Sequence, residues 1–205
     1  MNTNQTQDVK VVNADPSALG LFGLAMVTLV ASSQKLGITD GTAFILPWAI
    51  FLGGFAQLFA CINDSKRQNV FGTVAFGGYA FFWFGVAASW LIQAGVFGQE
   101  LASKVDPKQL GVAFVGYLIF SIFMTIGAME TNKVLFVILF FIDLLFIGLA
   151  ATSFNIMPEV AHKLAAYSEM IIAVLSFYAS AAAVLNAHFG KIFLPTGKAF
   201  GIFKK

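Results

Sequence analysis

The amino-acid sequence predicts an all-α membrane protein, a bundle of six transmembrane helices. Hydrophobic residues make up 59% of the 205 residues and charged residues only 11%, whereas a soluble domain usually carries about 25% charged residues. Six apolar runs are long enough to cross a hydrocarbon core of about 30 Å. The segments between the runs are short. The chain therefore has room for one membrane domain and for no separate soluble domain.

The six runs divide the chain into two tails and a membrane domain. We predict a polar cytoplasmic tail over 1–17, a six-span domain over 18–186 and a basic cytoplasmic tail over 187–205. The N-terminal stretch holds no apolar region of the kind found in a signal peptide, so no cleavable leader is expected. The predicted spans are 18–34, 42–62, 72–95, 110–129, 134–153 and 164–186.

The distribution of positive charge predicts the orientation of the spans. Of the 12 Lys and Arg residues, eight fall in the two tails and the connections on the same side, and four fall on the other side. Because cytoplasmic loops carry the excess of positive charge, both termini are expected in the cytoplasm, as an even number of spans requires. The basic C-terminal tail is expected to meet anionic lipid headgroups rather than nucleic acid.

The first two spans, the fourth and the sixth each carry small or polar residues at helical spacing. Such stripes suit a narrow polar path, and they equally suit a bundle held together by interhelical hydrogen bonds. Within them, the Gln57 amide has the donors and the acceptor to hold a carboxylate or an amide. The stripes are Leu24, Thr28 and Ser32; Gly53, Gln57 and Cys61; Tyr117, Ser121 and Thr125; and Glu169, Ala173, Ser176 and Ser180.

The third span is the segment around which we expect the others to be arranged. Ala75, Tyr79 and Phe82 lie three or four residues apart and share one helical face. Small residues are favoured at packed helix interfaces in membranes, so Gly77 and Gly78 predict the close approach of another backbone. Two interpretations stay open: a pore helix whose Tyr79 narrows a path, or a packed bundle helix whose tyrosine bonds a neighbour.

The fifth span carries Asp143 among bulky apolar neighbours. A lone carboxylate facing lipid costs at least about 2.5 kcal/mol, and no Lys or Arg lies within the predicted spans. Asp143 is therefore either a proton-linked group or a hydrogen-bonded structural acid. Glu169 is expected near the extracellular end of its helix, where water can reach it, and His162 in the preceding loop.

The sequence contains no recognisable catalytic or cofactor-binding motif. A single cysteine, Cys61, excludes an internal disulfide and offers no cluster of metal ligands. We therefore expect no catalytic residues, no cofactor and no metal.

Short motifs at both ends of the chain point to a family. The string from Asp15 to Leu21, Asp-Pro-Ser-Ala-Leu-Gly-Leu, resembles the Asn-Pro-Ala-Pro-Leu-Gly-Leu signature of the acetate uptake transporter family. That family contains bacterial succinate-acetate permeases and their fungal relatives. Further similar elements follow in the same order. They are Gly-Gly-Phe-Ala-Gln at 53–57, Phe-Gly-Thr-Val-Ala-Phe at 71–76, Val-Leu-Asn at 184–186 and Leu-Pro at 194–195.

The resemblance implies a function and a set of site residues. Family members are six-span bundles that assemble as hexamers, with a path for small carboxylates in each protomer. Their constriction corresponds here to Leu24, Tyr79 and Ile142, and their membrane-depth glutamine to Gln57. Two departures stand out, because Asp15 replaces the Asn of the signature and Asp143 falls where a neutral residue is expected.

These inferences combine into one expectation with two rivals. We expect an inner-membrane transporter or channel for acetate and similar small carboxylates, channel-like or proton-coupled, and a homo-hexamer. Leu24, Tyr79 and Ile142 would form the constriction, Thr28 and Gln57 would line the path, and Asp143 would respond to protons. The rivals are a channel for a neutral solute such as urea or a short amide, and a structural or sensory membrane protein without flux.

Overall fold

The computed structural model describes residues 14–203 as a ring of six long helices. Each is long and apolar enough to cross a membrane, which confirms the predicted fold class. A short helix, Gln99–Ala102, lies between the third and the fourth of them, and residues 14–203 form no strand. The first 13 residues of the predicted N-terminal tail, and Lys204 and Lys205, lie outside the described residues. The helices are α1 (Ser17–Lys35), α2 (Leu46–Lys66), α3 (Val70–Gln93), α4 (Pro107–Ala128), α5 (Lys133–Ser153) and α6 (Pro158–Phe189).

The ring follows the order α1, α2, α3, α4, α5, α6 and returns to α1. Backbone packing is closest between α1 and α6, between α2 and α3 and between α5 and α6. The backbones of α3 and α4 meet least, and this gap is closed by side chains. There the Tyr117 hydroxyl donates to the Gly78 carbonyl at 3.2 Å, and the Phe82 and Tyr117 rings lie 5.0 Å apart. The ring encloses packed side chains in its middle and cavities toward its two ends.

Side chains cap the starts of three of these helices. Asn69 accepts a hydrogen bond from the Gly72 amide at the start of α3. Asn132 does the same for Leu135 at the start of α5, and Asp106 for an amide at the start of α4. Such caps satisfy amides that have no partner within the helix.

The second helix differs from its prediction in both start and internal geometry. It begins at Leu46 rather than at residue 42, because Gly37 and Gly41 adopt positive φ and hold the preceding segment in turns. Residues Ala49–Ala56 then form a π-helical segment. π-Helical segments are rare in proteins, and those that occur often lie at functional sites. The segment ends immediately before Gln57.

The sixth helix begins at Pro158, six residues before the predicted start. Proline suits the first position of a helix because its missing N–H would have no partner there. His162, predicted in a loop, therefore lies inside α6, and that prediction is wrong. Its Nε2 lies 2.9 Å from the Lys35 backbone carbonyl oxygen.

Close packing beside the glycines of α3 involves side chains and not another backbone, contrary to prediction. A Cβ at Gly77 would lie 2.9 Å from Cys61 Sγ, and one at Gly78 would run into the Phe120 ring. Close backbone approaches occur instead at Gly23 of α1, which faces the backbone of α2 at Leu52, and at Gly148 of α5, which faces the backbone of α6.

The segment after α6 folds back across one end of the ring. The Asn186 side chain accepts hydrogen bonds from the Phe193 and Leu194 amides and donates to the Leu194 carbonyl. The Thr196 carbonyl then accepts from the Val134 amide at 3.1 Å. This segment places Thr196 at the rim of the space between the helices.

Candidate functional site

A cavity lies between the helices at the end where α1 begins and α6 ends. It has a volume of about 550 Å³, and we call it the first cavity. Four of the predicted site residues, Leu24, Gln57, Tyr79 and Ile142, line it. The structure thus brings together side chains from α1, α2, α3 and α5 that are far apart in the sequence.

The deep end of the first cavity coincides with the predicted constriction. Along α1 its lining ends at Leu24, along α3 at Tyr79 and along α5 at Ile142. The three residues are buried, with 7%, 5% and 3% of their surface exposed. On α6 the deepest lining residue is Ala179, so three bulky side chains face one small one. This geometry can restrict a solute by size.

The Tyr79 ring is held in place from α4. Its hydroxyl lies 3.0 Å from Ser121 Oγ, and its ring meets the Phe120 ring edge-on at 5.4 Å between centroids. The tyrosine therefore narrows the cavity and also bonds a neighbouring helix. The two interpretations left open by the sequence, a side chain that narrows a path and one that bonds a neighbour, are therefore compatible.

Gln57 stands where the π-helical segment ends. Only 1% of the residue is exposed, and its Nε2 donates to the Gly53 carbonyl at 2.9 Å. A glutamine amide has two donor hydrogens and a carbonyl acceptor, so this one bond does not exhaust its capacity. It supplies hydrogen-bonding capacity to a wall made largely of apolar residues.

Thr28 does not line the first cavity. It lies one turn beyond Leu24, is 1% exposed, and donates its hydroxyl to the Leu24 carbonyl at 2.7 Å. At a similar depth α5 places Phe146 and α6 places Ser176, both fully buried. The Ser176 hydroxyl has no hydrogen-bond partner within the described residues. These side chains form a closed layer beyond the constriction.

Asp143 lies beside the constriction rather than in it. Its Oδ2 accepts a hydrogen bond from the Thr125 hydroxyl at 2.8 Å, and its buried Oδ1 has no partner within residues 14–203. Thr125 stands one helical turn from Ser121, the partner of Tyr79. The carboxylate is thus hydrogen-bonded, close to the tyrosine and outside the lining of the first cavity.

Glu169 is almost fully buried rather than exposed to water, contrary to prediction. Only 2% of the residue is exposed, and its Oε2 lies 2.9 Å from Lys35 Nζ. The sequence gives no signal for this ion pair, because Lys35 falls one residue beyond the predicted first span and 134 positions from its partner. The pair borders a smaller cavity of about 140 Å³ at the opposite end of the bundle, which we call the second cavity.

Asp15 adds a negative charge at the rim of the first cavity, but that charge is compensated. Its Oδ1 accepts from the Ser17 amide at 2.9 Å and lies 3.2 Å from an Arg67 guanidinium nitrogen. Burial alone would raise the pKa of this carboxyl, yet the bonds from Ser17 and the charge of Arg67 outweigh burial and lower the pKa. Asp15 therefore stays ionised and paired.

Comparison with known proteins identifies the family of this chain. The model described as "GPR1/FUN34/yaaH family" matches residues 1–198. The succinate-acetate/proton symporter SatP of Escherichia coli strain K12 is 31% identical over 185 residues, which cover 90% of this chain and 96% of SatP. Acetate permease A of Emericella nidulans is 27% identical over 143 residues, which cover 65% of this chain and 47% of the permease.

The fold is also similar to a solved structure. The "Structure of the bacterial acetate channel SatP" superposes with a TM-score of 0.83 at 31% identity, covering 91% of this chain and all of that one. Similarity of sequence and of fold thus extends over nearly the whole chain and confirms the resemblance first seen between Asp15 and Leu21. The protein is a multi-pass membrane protein that belongs to the GPR1/FUN34/yaaH family.

Proposed function

We propose that this protein carries acetate and similar small carboxylates across the inner membrane, through a path within each protomer. The observation that carries the proposal is the first cavity, which ends at Leu24, Tyr79 and Ile142. The names of the related proteins, a succinate-acetate/proton symporter and an acetate permease, support the solute class. We assign no catalytic residue, because movement of a solute makes and breaks no bond.

The chemistry of the first cavity suits a small amphipathic anion. Alanine and aliphatic side chains from α5 and α6 leave room for a methyl group, while Gln57 and Asn186 supply amide groups. A constriction with apolar walls can also exclude water when it is unoccupied. In this account, solute identity depends on size at Tyr79 and on hydrogen bonding at Gln57.

The assembly that we propose rests on the family resemblance, and the orientation rests on the charge count. We propose a homo-hexamer with both termini in the cytoplasm, so that the first cavity opens inward. A cysteine placed at Lys198, on the C-terminal segment, should resist an impermeant reagent in intact cells and react after lysis. Reaction in intact cells would reverse the assignment.

A channel for a neutral solute is the rival function. The described lining of the first cavity contains amides as well as charged groups, and an amide can hydrogen-bond a neutral solute as well as an anion. Initial uptake of labelled acetate and of labelled urea into the same proteoliposomes distinguishes the two. We expect acetate uptake to exceed that of protein-free liposomes, and urea uptake to match them. The opposite pattern would favour the rival.

Replacing Gln57 by leucine should weaken acetate binding while the bundle stays folded. A hydrogen bond to a charged group contributes about 1.5–3 kcal/mol, so we expect the apparent affinity to fall about tenfold or more. The measurement is the apparent KM of acetate uptake. Gln93→Leu, an exposed change at the far end of α3, is the matched control. An unchanged KM in Gln57→Leu would return this residue to a purely structural role.

Replacing Asp143 by asparagine tests the proton-linked role predicted for it. Asparagine keeps an acceptor for the Thr125 hydroxyl but cannot exchange a proton. If Asp143 carries the coupled proton, the variant loses the acceleration of acetate uptake by an inward proton gradient. Thr125→Val, which removes the hydroxyl and leaves the carboxyl, should retain that acceleration. Full acceleration in Asp143→Asn would make Asp143 a structural acid.

A further inference from the structure

The second cavity contains a buried ion pair to which the path described so far assigns no role. Lys35 is the last residue of α1, and Glu169 lies three turns inside α6. Their side chains are only 15% and 2% exposed. Removing two charges from water is costly even when they are paired, and ionisable residues inside membranes commonly mark the routes of ions and solutes.

The second cavity lies in line with the first one. Helices α1, α3, α5 and α6 line both. On α3 the first cavity ends at Tyr79 and the second begins at Phe82; on α5 the corresponding residues are Ile142 and Leu149. The two cavities are therefore opposite ends of one line between the same helices, separated by the closed layer that contains Phe146.

The size and lining of the second cavity suit a short carboxylate. Its volume is about 140 Å³, and one water needs about 10–15 Å³ by the same kind of measure. Trp83 and Trp90 form apolar walls, and Lys35 and Glu169 are the charged residues among its described lining. The lysine ammonium has three donor hydrogens, of which one is directed to Glu169. It can therefore bind a second carboxylate.

The charges of the pair set a condition on that binding. With both groups ionised the site is neutral, so an incoming anion would leave one uncompensated negative charge in a poorly solvated place. If Glu169 takes up one proton, its charge disappears and Lys35 is free to pair with the solute. The net charge of the site is then the same before and after binding.

We infer that the second cavity is a carboxylate-binding subsite in which the solute replaces Glu169 as the partner of Lys35. One proton from solution bonds to a Glu169 carboxyl oxygen, one carboxylate anion pairs with the Lys35 ammonium, and both leave together when the pair re-forms. This inference rests on the proposed function and specifies it further, because it couples one proton to each carboxylate.

Few other groups can take part in this exchange. From α1, Lys35 is the charged residue that faces Glu169, while the described side chains that line the cavity from α3, α4 and α5 carry no ionisable group. On α6 itself, His162 lies two turns earlier, is exposed, and contacts the Lys35 backbone carbonyl rather than the ammonium. His162→Gln is therefore a suitable check that the histidine does not supply the proton.

The decisive variant is Glu169→Gln, which mimics the protonated acid. The assay is exchange of labelled acetate across proteoliposomes with equal pH on both sides, between about pH 5.5 and 7.5. In the wild type, one linked proton should make the apparent KM for acetate anion rise by up to about tenfold for each unit of pH increase. In Glu169→Gln, the KM expressed as acetate anion should not depend on pH. If undissociated acetic acid were the solute, both proteins would show the same slope.

Two further variants complete the test. Glu159→Gln removes a carboxylate from an exposed position on the same helix and should keep the wild-type slope. The double variant Lys35→Gln/Glu169→Gln leaves no unpaired charge, and we expect its KM to be pH-independent and at least about tenfold above that of Glu169→Gln. If Glu169→Gln does not fold, the pH dependence of the KM of the double variant tests the inference in its place.

A wild-type slope in Glu169→Gln or in the double variant would overturn the inference, and so would equal affinities of the two variants. Loss of the slope in Asp143→Asn alone would overturn it as well, because the coupled proton would then reside on Asp143. A wild-type protein that exchanges no acetate at all would contradict the proposed function instead, so the two failures are distinguishable.

Discussion

Replacing Tyr79 by alanine should raise the rate of acetate transport on the order of tenfold and admit longer carboxylates. The ring is 5% exposed and closes the deep end of the first cavity opposite Leu24 and Ile142. If its bulk sets the barrier, removing it lowers that barrier, and about 1.4 kcal/mol corresponds to a tenfold change in rate. Initial uptake rates of acetate and of progressively longer carboxylates measure the effect.

The hydroxyl and the ring of Tyr79 can be separated. Tyr79→Phe keeps the ring and loses the bond to Ser121, which should cost about 0.5–1.5 kcal/mol of stability and leave size selection unchanged. Tyr167→Ala, at a position 61% exposed, is the matched control. Because a buried aromatic-to-alanine change can cost about 3–5 kcal/mol, thermal unfolding of each variant must be measured beside its rate. A folded Tyr79→Ala protein with wild-type rate and solute range would place the constriction elsewhere.

Replacing Gly148 by alanine should strongly destabilise the bundle. A Cβ at this position would lie 2.7 Å from both the Ala161 carbonyl oxygen and the Ala165 amide nitrogen. These are backbone atoms of α6, so relief requires the two helices to move apart. Overpacking of this kind typically costs about 1–3 kcal/mol, a large share of the stability of a marginal protein.

The control for this change is Gly116→Ala. Gly116 also lies inside a helix, but nothing lies within 4 Å of its would-be Cβ, and alanine is the better helix former by about 1 kcal/mol. We therefore expect a lower Tm than wild type in Gly148→Ala and an equal or higher Tm in Gly116→Ala, both measured in detergent. A wild-type Tm in Gly148→Ala would show that α5 and α6 pack less closely than described.

The six spans could be predicted from the sequence because hydropathy depends on local composition. Helix boundaries were less accurate where conformation, not hydropathy, decides them. Glycines at positive φ delay the start of α2, and Pro158 allows α6 to begin early. The π-helical segment Ala49–Ala56 had no signal in the apolar pattern, since its residues are equally suited to an α-helix.

The candidate site was predictable in part, for a related reason. Helical periodicity and family resemblance indicated which faces carry Gln57 and Tyr79, and the structure places both on the first cavity. Periodicity indicates a face but not a depth, so it cannot show that Thr28 lies one turn beyond the lining of the first cavity. The Lys35–Glu169 pair depends on how α1 packs against α6, which no local pattern records.

The most direct test of the account is the initial rate of labelled acetate uptake into proteoliposomes, with and without an inside-alkaline pH gradient. Protein-free liposomes measured in parallel correct for acetic acid that diffuses through lipid. We expect the protein-dependent rate to be above zero at equal pH and to rise when the gradient is imposed. A rate equal to that of protein-free liposomes under both conditions would contradict it.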